Sequence, residues 1–326
     1  MKTEILSLLR ERENYVSGQE LCNHFGVSRT AVWKVMNQLK EEGYEIEAVK
    51  NKGYKLLNQP DILSVNEIAG RLNTKWAGRK LYCLEETGST NTDAKRLLEE
   101  GAPDGTLVVA DKQNSGKGRR GRSWSSPKGT SIYMSIGLKP SYNPDKASMV
   151  TLIMALAVAK GIREQAGLAA FIKWPNDVVV NKKKVCGILT EMNAEPDYIH
   201  SVVIGTGINV NEQEFPKEIR ETATSLFLEK GEKLTRARLV ACVMEYFEQD
   251  YEKFLECGNL SGFLEEYNGL LINRGKKVKV LDPKQEWEGT ARGINEKGEL
   301  LVEDEKGQLV EVYAGEVSVR GLYGYV

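Results

Sequence analysis

Residues 113–129 read QNSGKGRRGRSWSSPKG, with Lys117, Arg119, Arg120 and Arg122 threaded between Gly116, Gly118, Gly121 and Gly129. Glycine at this density makes a poor helix and repeated like charge a poor strand, so the stretch is a loop outside the core. Gly-x-Gly backbones bring amides close to phosphate oxygens, and Arg or Lys neutralises them. The chemistry is that of an anion. No Gly-Lys-Ser/Thr closes the loop, and an aromatic residue and serines follow it instead of a helix, so it is neither a P-loop nor a dinucleotide fingerprint. Its glycines predict disorder until a ligand arrives, then closure over that ligand. A solvated surface loop is the plain alternative.

A second polar interruption is FIKWPNDVVV, where Lys173, Asn176 and Asp177 sit in an apolar run beside Trp174 and Pro175. Pro175 bars an ordinary central-strand position, so the chain leaves the sheet there with polar groups at its rim. Oxygen donors beside a cation suit a magnesium nucleotide; a turn stabilised by Asn and Asp is the alternative. NKKKVCGILTE carries Lys182, Lys183 and Lys184 into a strand, with Lys184 and Cys186 expected on one face. A lysine at that boundary reaches into a site as a compact charge, or belongs to a basic hairpin turn. In ETGSTNTDAK, Ser89, Thr90 and Asn91 lie between a strand and a helix. They suit a neutral polar ligand or simply cap the helix. GTGINVN sets Gly205 and Gly207 before Asn209 and is weak alone.

The elements that position these residues read as three units, 1–62, 63–272 and 273–326. In the first, Ile5, Leu8 and Leu9 follow helical spacing, and Ser17 caps a helix that stops at Gly26. Ser28 caps a third helix with the stripe Val32, Val35, Met36 and Leu39, stopped by Gly43. YEIEAVKNKGYKLL then alternates through two short strands, the pattern of a winged helix-turn-helix. Candidate DNA contacts are Ser28, Arg29, Thr30, Lys34 and Asn37 on the helix, and Lys50 and Lys52 on the wing.

The middle unit opens with a linker helix in QPDILSVNEIAGRLNT, and a new domain begins near Leu81. TLVVA, SIYMSIGL, VVVNKKKVCGILTEM and HSVVIGTGINV read as strands. Residues 145–167 read as a core helix ended by Gly167, and 235–258 as another capped by Thr235. Hairpins mixed with helices make the class α+β, with a mixed α/β central domain, not a doubly wound one. From Gly275, KKVKVLDP, EWEGTARGI, LLVEDE and LVEVYAGEVSVRG read as strands of a small SH3-like β-barrel.

Charge is 28% but nearly balanced at a net of −1, so any anion site is local and no basic coat covers the chain. Five widely spaced cysteines without a C-x-x-C pair argue for free thiols, and two histidines are too few for a metal cluster. No structural metal is expected. The N-terminus lacks a signal-peptide core, and the longest apolar run, ASMVTLIMALAVA, is shorter than the roughly 20 residues of a membrane span. A cytoplasmic protein with no membrane partner is expected.

Taken in order, GSTN, Q-x-x-G-K-G-R-R-G-R-S-W, KWPND, a lysine before V-C-G-I-L, and GTGINVN resemble the biotin protein ligases across essentially the whole chain. With the winged helix in front, the chain is similar to the bifunctional class that is both ligase and biotin operon repressor. The resemblance implies that ATP and Mg2+ convert biotin to biotinyl-AMP, and that biotin then passes to a lysine of a carboxylase's biotin carboxyl carrier domain. It implies biotin contacts from Ser89, Thr90, Asn91, Gln113, Gly116, Lys117, Gly118, Arg119 and Lys184. Of these, Arg119 would hold the mixed anhydride, and Lys184 the carboxylate and α-phosphate. Arg122, Trp124, Lys173, Asn176, Asp177, Asn209 and Arg320 would serve ATP and magnesium, with Trp124 near adenine. It further implies operator DNA as a partner and a homodimer promoted by biotinyl-AMP. The family loop often reads G-R-G-R-R-G-R; Lys117 stands at the first arginine, keeping charge but losing a bidentate fork. Rival readings are a ligand-sensing repressor without catalysis, a lipoate-type protein ligase on a related fold, and an RNA-binding protein that uses the basic loop.

Overall fold

The structure, a computed structural model, describes residues 1–12, 14–58, 60–281, 286–313, 318–321 and 325–326; the side chains of 318–320 lie outside that description. Helix α1, Lys2–Glu11, buries Ile5, Leu6 and Leu9. Ser17 Oγ accepts from Glu20 N at 3.0 Å and starts α2, Gly18–Phe25, which Gly26 ends in the left-handed region at φ 63°. Ser28 Oγ accepts from Ala31 N at 3.2 Å and starts α3, Arg29–Glu41. Val32, Val35, Met36 and Leu39 of α3 close a core with Ile5, Leu6 and Leu21. Strands β1, Glu45–Val49, and β2, Gly53–Asn58, pair antiparallel as the wing.

Helix α4, Val65–Ala69, follows, capped by Ser64. Glu67 on α4 is fully buried, and a buried carboxylate persists only when paired. Arg10 of α1 and the Tyr44 hydroxyl reach it from the N-terminal unit, and Arg71 pairs with it at 2.6 Å.

The central sheet is built from β3, Leu81–Leu84, β4, Thr106–Ala110, β5, Ile132–Leu138, β6, Ala170–Lys173, β7, Asp177–Val180, β8, Lys183–Glu195, and β9, Tyr198–Ile208. Their order is β3-β4-β5-β9-β8-β7-β6, with β3–β4 parallel and the remaining pairs antiparallel. Side chains alternate across it: Leu107 and Val109 enter the large core, while Val108 joins a second cluster with Ala94 and Leu98. Those two residues belong to α5, Thr90–Glu99, so α5 covers one face. The large core lies under α6, Ala147–Ala166, and α8, Arg236–Cys257, which cover the other. Two shorter helices, α7, Leu226–Lys230, and α9, Leu264–Leu270, flank the long one. No helix among the described residues is long and apolar enough to cross a membrane.

The C-terminal unit is a five-stranded antiparallel sheet of β10, Lys277–Leu281, β11, Glu286–Ile294, β12, Leu300–Glu303, β13, Leu309–Val312, and β14, Ser318–Gly321. Its order is β13-β12-β11-β10-β14. Val278, Val280, Ala291 and Leu300 join the large core, and Trp174 Nε1 donates to Gly298 O at 3.0 Å.

Three local readings are corrected. LVEVYAGEVSVRG is not one strand but parts of β13 and β14, with 314–317 outside the described residues. VVVNKKKVCGILTEM is a hairpin: Asn181 and Lys182 turn between β7 and β8 at φ 46° and 66°. Lys184 and Cys186 do not share a face. A bulge opposite Val178 and Val179 breaks the alternation, sending Cys186 into the core while Lys184 stays at the site.

Candidate active site

The site occupies the α5 face of the sheet. Ser89 stands at the N-cap of α5 yet makes no side-chain cap bond. Gln113 takes that part: its Oε1 accepts from Thr90 N at 2.9 Å and from Thr90 Oγ1 at 3.1 Å. The Ser89 hydroxyl is thereby left to the cavity it lines. Beneath, Ser135 Oγ lies 2.7 Å from Thr90 Oγ1 and 2.6 Å from Asn91 Oδ1. Asn91 lines the cavity beside Gly205, and its Nδ2 donates to Glu191 Oε2 at 2.7 Å, which fixes the amide. Ser135 and Glu191 were not anticipated; the only signal was a serine on an apolar strand.

The floor is made of glycine. Gly187 on β8 faces Gly207 on β9 in register, with Gly205 two residues away on the same face. The Trp124 indole lies on this floor: a Cβ at Gly187 would meet it at 2.8 Å, and one at Gly207 at 2.7 Å. Trp124 Nε1 is buried there without a hydrogen-bond partner. The space left beside the indole is narrow, about 50 Å³.

In the structure the glycine-arginine loop folds back on itself. Gly118 N donates to Arg122 O at 2.7 Å and Trp124 N to Gly116 O at 2.8 Å, closing a hairpin. Gly116 is required where the strands cross, because a Cβ would lie 2.7 Å from Ser126 Oγ. Lys117, Arg120 and Arg122 are exposed, whereas Arg119 turns inward. Its Nη1 donates to Asn176 Oδ1 at 3.0 Å. Burial, then the Arg120 charge, draws the Arg119 guanidinium down from its ordinary value, against the pull of Asp177.

A second cavity of about 500 Å³ adjoins the first, and Arg119, Trp124, Asn176 and Lys184 line both. The turn between β6 and β7 supplies much of its wall. Lys184 Nζ pairs with Asp177 Oδ1 at 2.5 Å and lies 5.2 Å from the Trp124 ring centroid. Asn176 is held by its own fold: Nδ2 donates to Ile188 O at 3.0 Å while Oδ1 receives Arg119. Lys173, Asp177, Asn209 and Arg122 also line this cavity. Asn209 Nδ2 donates to Thr224 O at 3.1 Å. Tyr325, past the last strand and unforeseen, donates its hydroxyl to Asp177, and Lys173 Nζ lies 3.6 Å from its ring centroid. The Arg320 side chain lies outside the described residues.

The two cavities thus meet at a shared wall of cations. That arrangement seats two anionic groups end to end and lowers the repulsion between them. A magnesium site built on one or two carboxylates and the substrate's own phosphates fits Asp177 with the oxygen of Asn209 nearby.

Of the N-terminal residues expected to meet DNA, Ser28 serves as the α3 cap. Arg29, Thr30, Lys34, Lys50 and Lys52 are exposed, and Asn37 is half-buried. Arg29 Nη2 donates to Gln19 Oε1 at 2.8 Å, which fixes its direction.

Comparison with known proteins agrees with this geometry. The chain matches a helix-turn-helix domain over residues 2–55, the biotin/lipoate A/B protein ligase family over 83–209, and the biotin protein ligase C-terminal domain over 275–320. It is 40% identical over 323 residues to the bifunctional ligase/repressor BirA of Bacillus subtilis, covering 98% of each chain. It is 30% identical over 319 residues to the protein of that name from Escherichia coli, covering 97% of this chain and 96% of that one. The biotin protein ligase from Aquifex aeolicus, solved in complex with biotin and ATP, superposes with a TM-score of 0.66 at 33% identity. It covers 74% of this chain and 99% of its own. The chain belongs to the biotin protein ligase family, in the form that carries a helix-turn-helix domain ahead of the ligase.

Proposed function

We propose that this chain is an ATP-dependent biotin protein ligase and a DNA-binding repressor of biotin genes. The observation that carries the ligase reading is the pair of adjoining cavities with Arg119, Asn176 and Lys184 at their junction. Biotin would lie on the glycine floor, with Ser89, Thr90 and Gln113 at its polar ring and Gly116, Lys117 and Gly118 above it. The Trp124 indole lies on the glycine floor where the bicyclic ring would lie, so binding lifts it toward the nucleotide cavity, where adenine packs. Asn91, which also lines the cavity, would join Ser89, Thr90 and Gln113, its amide fixed by Glu191.

The biotin carboxylate oxygen attacks the α-phosphorus of ATP, the bond to the β-phosphate oxygen breaks, and pyrophosphate leaves. Lys184 and Arg119 neutralise the approaching carboxylate and α-phosphate. Asn176 aims Arg119. Lys173, Arg122 and Arg320 meet the remaining phosphates. Asp177 with Asn209 would hold Mg2+, which spreads phosphate charge when bound. The loop then keeps water from the mixed anhydride. The amine of a carrier-domain lysine attacks the acyl carbon, AMP leaves, and the amine proton passes to solvent. No side-chain nucleophile is required.

Residues 1–62 would serve operator DNA, 63–272 the chemistry, and 273–326 the nucleotide end. Biotinyl-AMP would favour a homodimer whose two winged helices meet two half-sites. All of these steps belong in the cytoplasm. The test is transfer of labelled biotin, with Mg-ATP, to a purified carboxylase carrier domain, with lipoate alongside. Transfer of biotin alone is expected. Tight biotin binding without transfer would make the chain a sensor and overturn the catalytic reading; transfer of lipoate would reassign the substrate.

A further inference from the structure

Trp33 lies in the middle of α3, away from Val32, Val35, Met36 and Leu39, which fill the core. It is 56% exposed, whereas Trp76, Trp124, Trp174 and Trp287 are all buried or half-buried. No ring or cation stacks on it among the described residues. One helical turn separates it from Arg29, Thr30 and Asn37, and Lys34 is its neighbour. A large apolar ring is thus presented to water at the centre of a face otherwise made of cations and hydrogen-bonding groups.

The surroundings say what covers it. Arg29 and Lys34 on the helix and Lys50 and Lys52 on the wing are exposed and positive, which matches a phosphate backbone and disfavours a basic or apolar protein partner. On DNA those cations give register but no sequence. In the major groove, the one apolar group presented by base edges is the thymine C5-methyl. We propose that Trp33 is a specificity residue that packs its indole against a thymine methyl in each half-site. The proposal rests on the reading of α3 as a DNA-recognition helix.

The test uses full-length protein with biotin and Mg-ATP, and duplexes that the wild type itself enriches from a random library. Trp33→Ala is expected to weaken binding to the enriched duplex by about 5- to 100-fold, the range of one base contact, and Trp33→Phe by less. Both variants keep the wild-type circular dichroism and the wild-type midpoint of the first thermal transition, which shows that the N-terminal unit folds. Biotin transfer to the carrier domain stays at the wild-type rate. Each thymine is then replaced by uracil, which removes only the methyl. Wild-type affinity should fall at one symmetry-related pair of positions, and Trp33→Ala should be indifferent there. Unchanged affinity of Trp33→Ala overturns the proposal. So does an affinity loss with uracil penalties equal in both proteins, which would mark Trp33 as a protein contact or a packing residue. If the wild type enriches no sequence, the DNA reading of α3 fails and this proposal with it.

Discussion

Arg119 and Asn176 show how a hydrogen bond helps to aim a cation. Among the loop's cations Arg119 alone turns inward, and its Nη1 bond to Asn176 Oδ1 ties the loop to the turn after β6. Asn176 is fixed in turn by Ile188 O, so the guanidinium is held at the junction of the cavities. Removing the arginine deletes both a charge and the tie. Arg119→Gly should release biotinyl-AMP into solution about 10- to 100-fold faster, the value of one charge-assisted hydrogen bond. Asn176→Ala, which keeps the charge but removes this hydrogen bond, should leak less than Arg119→Gly and more than wild type. Release of labelled adenylate through a rapid filter measures both. Leakage at the wild-type rate in Arg119→Gly would remove this residue from adenylate retention.

At the scale of elements, a buried carboxylate helps to join the N-terminal unit to the rest, beside the bonds from Thr3 to Asn66 and from Ser7 to Gly70 O. Glu67 on α4 is met by Arg10, Tyr44 and Arg71, all from different segments. Glu67→Gln removes the carboxylate charge that Arg10 and Arg71 share, at a cost of up to about 3–5 kcal/mol for a buried pair. A lowered midpoint for the first thermal transition is expected, with biotin transfer at 25 °C retained; an unchanged melting curve would mean that the arginines find other partners. Much of the local structure was legible because its causes are local. Ser17, Ser28 and Gly26 announce the helix ends they make, and Pro175 announces the break between β6 and β7. What was not legible depends on residues far apart in the chain. Thr235 was read as the cap of α8, but its side chain makes no cap bond; Asp61, 175 positions away from Arg236, accepts from Arg236 N at 2.8 Å in its place. The bulge that parts Lys184 from Cys186 and the glycine floor under Trp124 are properties of strand pairing and not of either strand. Residue types at the site were readable from motif order; that Asn91 and Asn176 brace other groups was visible only in the hydrogen bonds.

For the whole molecule, the question is where the DNA-binding unit ends and the ligase begins. Arg236 is 1% exposed, and its Nε donates to Asp61 Oδ2 at 2.8 Å, its Nη2 to Asp61 O at 2.8 Å and its Nη1 to Asp111 Oδ1 at 2.6 Å. Asp61 Oδ2 also accepts from Asn211 Nδ2 at 2.9 Å. Asp61 is therefore part of the ligase's wall although it precedes the boundary that sequence texture places at 62. Asp111, its fellow anion, lies two residues before Gln113 of the site, so the same arginine braces the linker and the strand that leads into the cavity. Two truncations separate these contributions. Removing 1–58 should abolish operator binding and leave biotin transfer near wild type, since Asp61 is kept and Glu67 retains Arg71. Removing 1–62 should abolish operator binding as well, but it strands a buried guanidinium with one carboxylate in place of two. It should cost a further several kcal/mol, on the order of the 3–5 of a broken buried pair, and appear as a lower melting temperature and a shorter half-life of transfer activity. The two proteins share every other loss in the N-terminal unit, so their difference reports the four residues at 59–62. If both melt together, the Asp61–Arg236 network does not hold the linker to the ligase, and the boundary at 62 stands.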